Sequence, residues 1–380
     1  MEETYPEYKR LKYQNTVLPL QQIQEQLDEN QLLLNYFLTA QTLFIQFVSE
    51  DETEIVEIPI DENFPELVKR FARSIRHLNL LDFYQYTEKL SKILIRPIAD
   101  LILDIFGYQE LKQLIIIPHA HLSQIPFETL LTSPYVKGEQ PKYLIHQFDV
   151  SYHYSASLWC LQQKQKSVKT ATYDFLGIAP VYEKETIPTG NRADSKTENN
   201  EWDYLPFSEN EVKELSQLFE KNQAKCFVKK EASKITFLAE VNQAKIVHLA
   251  AHFHQHERPK LSGLVFKNDE KLYIQEAFNL DLSANLFVLS ACESAVGQLY
   301  KSEGMMAINR GLLYSGVQNI VSALFVVNDN QAYEFMLHFY KSLLTGKNVV
   351  NALGEAKRIL LAKNKEILPI HWASFVLIGG

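Results

Sequence analysis

Apolar residues along this chain fall into short runs separated by amphipathic stretches, the alternation that an α/β protein requires. Residues 114–117, 245–251, 286–289 and 319–327 are apolar runs with little or no polar alternation. Runs of that kind predict strands buried on both faces, as in a parallel sheet. Shorter strands are expected at 148–154, 174–179 and 372–378. Residues 32–60 read differently. Phe44, Gln46 and Val48, then Glu54, Val56 and Ile58, alternate about the acidic turn at 49–52. That pattern predicts an antiparallel hairpin at a sheet edge, with one face in water.

Between the strands the apolar period lengthens to that of helices. Helices are expected at 17–35, at 64–80 with Leu67, Val68, Phe71 and Ile75 on one face, and at 87–105 with a break at Pro97. The basic side chains Lys69, Arg70, Arg73 and Arg76 fit a solvated helix face. Ser155 is a candidate N-cap for a helix through 161, and Ser208 with Glu211 forms a capping-box pattern opening one to about 220. Further helices are expected at 233–241, 303–314 and 349–362. Asp329 is placed as the cap of another, whose apolar face is Ala332, Phe335, Met336, Phe339 and Leu343. No repeat of solenoid period is present. The polar stretch 162–172 suggests a boundary, giving an N-terminal half at 1–165 and a second half at 166–380. Within the latter, 182–204 is rich in Glu, Asn, Lys, Thr and Asp, which predicts a mobile loop.

Candidate chemistry gathers at two strand ends. The run 286–289 ends in Ser290 and Ala291 and then Cys292; the run 245–251 ends in His252. Open α/β sheets carry their sites at the carboxyl edge, so neighbouring parallel strands would bring thiol and imidazole together there. A histidine in that place takes the thiol proton, and the thiolate is the nucleophile. His119 and His121 follow the strand 114–117 at the corresponding place in the first half, but no cysteine strand follows them. They are read as structural, in a duplicate of the unit that lacks a site.

Longer segments carry a resemblance. "IVHLAAHFH" (246–254), the stretch of 286–329 that begins "LFVLSACESAVGQLYKSEGMMAINRG", and the terminal "HWASFVLIGG" are similar to the CHAT family of caspase-like cysteine peptidases. In the first half, "LLLNYFLTAQTLFIQFV", "LIIIPHAHLSQIPFETLL" and, further on, "LPFSENEVKEL" resemble other segments of that family. The likeness runs from about residue 30 to the last residue. Family members are related to separase and the caspases and are often attached to tetratricopeptide repeats. The resemblance implies a mostly parallel, caspase-like sheet flanked by helices, with a site-less caspase-like half packed against the catalytic half. It also implies a His252–Cys292 dyad, with the backbone amides of Cys292 and of the residue after the histidine forming the oxyanion hole. The family usually has Gly there; this chain has Phe253, which keeps the N–H but not glycine's backbone freedom. Separase carries acidic residues after the strand equivalent to 319–327 and prefers Arg before the scissile bond, which points to Asp329 as a substrate-binding residue. The expected activity is a cysteine endopeptidase acting on protein or peptide substrates, controlled by a regulatory protein partner or a ligand. The alternative is an inactive scaffold or adaptor in a signalling or defence complex.

Composition narrows the rest. The chain has 380 residues, 46% of them hydrophobic, and a formal net charge of −8. A large core is available, and neither a nucleic-acid footprint nor a membrane span is expected. The first ten residues are polar and acidic, unlike a signal peptide. Three cysteines without metal spacing fit a reducing, cytoplasmic setting. His248, His252, His254 and His256 alternate, as ligands on one strand face would, but the polar segment 255–260 with Pro259 should end that strand near His252, so no metal is expected. Neither a phosphate-binding Gly-x-x-x-x-Gly-Lys loop nor a Gly-x-Ser-x-Gly elbow is present, and no cofactor is expected.

Overall fold

The computed structural model describes residues 17–106, 111–136, 138–164, 171–182, 202, 204–254, 256, 261–290, 298–300, 304–306, 308–364 and 366–380. In chain order the strands are β1 (Gln31–Leu38), β2 (Thr42–Val48), β3 (Thr53–Pro59), β4 (Gln113–Ile117), β5 (Asp149–Tyr152), β6 (Tyr173–Ala179), β7 (Ala224–Val228) and β8 (Ala244–Leu249). They continue with β9 (Phe253–His254), β10 (Gly263–Val265), β11 (Lys271–Tyr273), β12 (Leu286–Leu289), β13 (Gln298–Tyr300), β14 (Gly304–Met306), β15 (Asn319–Ala323) and β16 (Phe375–Ile378). Eleven of them form one sheet in the order β3-β2-β1-β4-β5-β16-β15-β12-β8-β6-β7. The fold is therefore the expected α/β architecture with a large, mostly parallel sheet. The antiparallel pairs are β1–β2 and β2–β3 at one edge and β15–β16 in the interior.

Local chemistry explains most element bounds. Of the strands predicted as buried on both faces, β4 and β12 are buried at every residue, whereas β8 has exposed Lys245 and half-buried Ile246 near its start and β15 begins with half-buried Asn319. The predicted hairpin is β2–β3, and β3 is the exposed edge of the sheet. Asn79, Ser233, Asn328 and Asn348 cap helices through their side chains, and Gly316 and Gly346 stand at helix ends with φ of +108° and +92°. Several bounds differ from expectation. The first helix is only Leu20–Gln24, because β1 takes the chain from Gln31. The break expected at Pro97 falls at Ile95, with Pro97 in the first turn of the helix Arg96–Phe106, where a missing N–H costs nothing. Residues 304–306 pair with 298–300 as β13–β14 instead of beginning a helix, which runs Ile308–Tyr314. Asp329 is the first residue of the helix Asp329–Leu343, and Asn328 is its cap.

Strands from before and after the polar stretch 162–172 join in one sheet through its last strand. β16 lies between β5 of the first half and β15 of the second. Buried polar contacts cross the same seam. Lys357, on the helix Val349–Lys363, pairs with Glu128, and both are at most 1% exposed. The Tyr152 hydroxyl donates to the other Glu128 oxygen and accepts from the amide of Phe127 at 2.7 Å. Arg358 reaches Asp149 at 2.7 Å, and Trp159 Nε1 donates to the Gly380 carbonyl at 3.0 Å. Arg76, from the basic helix of the first half, lies over the ring of Phe325 at 5.4 Å. Arg70 and Arg73 pair with Glu66 on their own exposed face.

Candidate active site

The sheet sets two strand ends side by side. β8 and β12 are parallel neighbours in direct register, with Leu249 opposite Leu289, and the ladder continues one step as Ser290 donates to the Leu249 carbonyl at 3.0 Å. His252 follows Leu249 by three residues, and in the sequence Cys292 follows Leu289 by three. Cys292 itself, with its oxyanion amide, lies outside the described residues, as does most of the segment 182–204 expected to be mobile.

His252 is held by its backbone and covered by two rings. Its amide donates to the Tyr182 hydroxyl at 2.9 Å, and that hydroxyl donates to the Val265 carbonyl at 2.6 Å. The imidazole lies 4.7 Å from the Tyr182 ring and stacks on Trp202 at 5.7 Å and 28°. Trp202 is in turn tied by Nε1 to Asp269 at 2.8 Å, which also binds Lys271 at 2.8 Å. To bring Tyr182 there, Val181 and Tyr182 both adopt left-handed backbone, φ 67° and 56°. Two such residues in sequence, one of them β-branched, cost on the order of 1–3 kcal/mol each and persist where the surroundings over-determine them. The sequence signals neither Tyr182 nor Trp202, since both fall in or beside a polar stretch without period. Phe253 pairs with Leu264 in the small sheet β9–β10–β11 and is not among the left-handed residues, so its backbone does not need the freedom of glycine.

The four alternating histidines separate. His248 is fully buried, with Nδ1 3.1 Å from the Tyr340 hydroxyl and Nε2 2.8 Å from Glu211. His254 and His256 lie on the small sheet side, rings 5.9 Å apart; burial and then the Lys271 ammonium hold His254 below the usual imidazole range. Among the described residues no group of three His, Cys, Asp or Glu is placed to hold a metal ion. In the first half, His119 Nδ1 accepts from the amide of Leu38 at 3.0 Å and its ring stacks on Phe37 at 4.7 Å. Burial lowers the His119 and His121 imidazoles below their usual range.

Asp329 lies at the same sheet edge. Ala251, Ser290, Leu205, Ala323, Val327 and Asp329 are among the residues lining a small, open pocket. Ala251 and Ser290 are the residues that lead to His252 and Cys292. The hydroxyl of Ser290 has no hydrogen-bond partner among the described residues. The Asp329 carboxylate accepts from the amide of Phe207 at 2.5 Å. Burial pushes its carboxyl up to about 6; the amides of Phe207 and Ser208 oppose the rise and the Glu211 charge adds to it. The predicted capping box is absent, and its acid explains why. Ser208 Oγ donates to the Leu205 carbonyl at 2.8 Å, while Glu211 turns inward to His248.

The CHAT domain family matches residues 85–380. Tetratricopeptide repeat protein 28 of Mus musculus is 35% identical over 104 residues, and that of Homo sapiens 31% over 104. Each match covers 27% of this chain and 4% of the relative, so the chain spans a small fraction of their length. Two crystal structures of the Saccharomyces cerevisiae separase–securin complex share the fold, with TM-scores of 0.66 and 0.61 at 10% and 8% identity. Each covers 94% of this chain and 30% of the other.

Proposed function

The chain belongs to the CHAT domain family, and on that premise we propose that it is a cysteine endopeptidase of the caspase-like type. The observation that carries the reading is the register: His252 and Cys292 each stand three residues past the directly paired Leu249 and Leu289, on neighbouring parallel strands. In the proposed reaction His252 takes the Cys292 thiol proton and the sulfur bonds to the peptide carbonyl carbon. The resulting oxyanion accepts from the amides of Phe253 and Cys292, each donor contributing about 3 kcal/mol. The C–N bond then breaks as His252 returns the proton to the leaving amine, and water, deprotonated by His252, hydrolyses the thioester.

The pocket beside Ala251 and Ser290 is proposed to take the side chain before the scissile bond. Asp329 supplies a carboxylate there and Ser290 a hydroxyl, which favours a basic side chain, Arg in particular. Restraint by a protein partner or a ligand is part of the reading. Its supports are the stacking of Trp202 on the His252 ring and the fold shared with separase, which was crystallised with securin. The free thiols of Cys160 and Cys226 support a reducing, cytoplasmic setting. Among the described residues no helix is long and apolar enough to cross a membrane.

A peptidyl electrophile tests the proposal. Stoichiometric labelling at Cys292, abolished in Cys292→Ala and absent from Cys160 and Cys226, is the expected result, and its rate should rise when cell extract supplies the partner. Absence of Cys292 labelling under both conditions refutes the enzyme and favours the scaffold or adaptor that the repeat-protein relatives suggest.

A further inference from the structure

A polar chain, buried from Glu211 through His248 to Tyr340, connects to Asp329 of the pocket, and the proposed dyad makes no use of it. Glu211 leaves the first turn of the helix Ser208–Gln217 and enters the core, where it is 1% exposed. One carboxylate oxygen meets His248 Nε2 at 2.8 Å; the other has no hydrogen-bond partner among the described residues. A carboxylate acceptor puts the proton on Nε2, which leaves Nδ1 to accept from the Tyr340 hydroxyl at 3.1 Å. Burial holds that phenol well above its usual range, so it remains a donor. Tyr340 lies on the helix Asp329–Leu343, about three turns beyond Asp329. At the other end of that span, Asp329 accepts from the amide of Phe207, with the Ser208 amide beside it. The polar chain thus closes: Asp329, the amides that open one helix, Glu211, His248, Tyr340, and back along the other helix.

Packing alone does not call for an acid in this place. Val212 and Leu215 already bury the helix against the sheet. A half-satisfied buried carboxylate is unfavourable beside an apolar residue of the same volume. What it provides is direction, because it sets how far and at what rotation the opening amides present themselves to Asp329. We propose that Glu211 is a positioning residue for substrate selection. By tying the helix Ser208–Gln217 to His248 and Tyr340, it holds the amides of Phe207 and Ser208 on Asp329 and so keeps the acid in the pocket. This rests on the reading of Asp329 as the acid that meets a basic side chain.

The test compares labelling of Cys292 by peptidyl electrophiles that differ only in Arg or Leu before the reactive carbon. Glu211→Met keeps the volume and loses the acceptor; its Arg-to-Leu rate ratio should fall about tenfold, the worth of one charge-assisted contact. Glu211→Gln keeps an oxygen for His248 and should restore the ratio to within about twofold. Should Glu211→Met fail to fold, Tyr340→Phe replaces it, with a lowered ratio again expected. Amide exchange at Phe207 and Ser208, which needs no reactive cysteine, should quicken in Glu211→Met and recover in Glu211→Gln. A wild-type ratio with wild-type exchange in the folded variant overturns the proposal. Asp329→Asn separates the two readings: if it leaves the ratio unchanged, the pocket assignment has failed, whereas a collapse there beside an unaffected Glu211→Met fails the positioning role alone.

Discussion

Asp329→Asn offers the sharpest check on the pocket, because the acid titrates in an accessible range. Burial pushes its carboxyl up to about 6 in the folded chain. With that value about nine-tenths of the population is ionised at pH 7 and about one-tenth at pH 5. A guanidinium meeting the ionised acid gains about 1.5–3 kcal/mol over a neutral side chain, or roughly 10- to 150-fold in kcat/KM. The Arg-over-Leu ratio of two otherwise identical fluorogenic peptides should therefore fall severalfold, by up to about ninefold, between pH 7 and pH 5. Titration of the dyad is common to both substrates and cancels in the ratio, and kcat/KM reports the free enzyme. In Asp329→Asn the ratio should be low and flat. Stability gives the same sign independently. Between about pH 4 and 6 the unfolded chain releases this proton and the folded chain keeps it, so stability falls as pH rises through that window. Asp329→Asn should remove that part of the slope in thermal melts. A wild-type ratio that does not change between pH 5 and 8, or a slope that survives in Asp329→Asn, would sink the argument.

Other perturbations separate roles that the sequence alone leaves adjacent. His252→Ala should abolish turnover, whereas His254→Ala and His256→Ala should leave most of it; losses of similar size at all three would point to a metal cluster, which a zinc assay decides. Lys357→Met leaves Glu128 as an unpaired buried charge and should cost about 3–5 kcal/mol. For 380 residues at about 2.1 cal/mol/K each, that is a Tm lower by roughly 4–6 °C. An unchanged Tm would mean that the pair does not secure the seam between the halves.

The alternation of apolar runs with amphipathic stretches revealed the sheet, because strands buried on both faces must be apolar throughout. β4, β8, β12 and β15 were all legible on that ground. Strand order was not. Nothing in the run 372–378 says that it will lie between β5 and β15, antiparallel to the latter, since period reports burial and not partners. The short first helix has the same cause: leucines at 32–34 fit helical spacing and strand alternation equally, and pairing of β1 with β2 and β4 decided between them. The partners of Lys357 were also hidden, because a lysine amid a helix ordinarily reads as a solvated position.

At the site, residues whose chemistry depends on a strand end were visible and those whose chemistry depends on a distant partner were not. His252 stands where a buried strand runs out, and that is a property of its own neighbours in sequence. The local pattern around Glu211, Ser-x-x-Glu, predicts a side chain folded back on its own helix. The carboxylate has two competing acceptor roles, but the Ser208 amide that a capping box would offer is buried beside Asp329, and Glu211 turns instead to the buried imidazole of His248. His248 in turn looked like one of four equivalent alternating histidines. Its difference from His252 is that four residues upstream the strand is still inside the core, where an imidazole must find partners, while at His252 the strand has reached the edge. The same strand therefore supplies a structural histidine to the helix that opens on Asp329 and, one step past the core, the histidine proposed to act on Cys292.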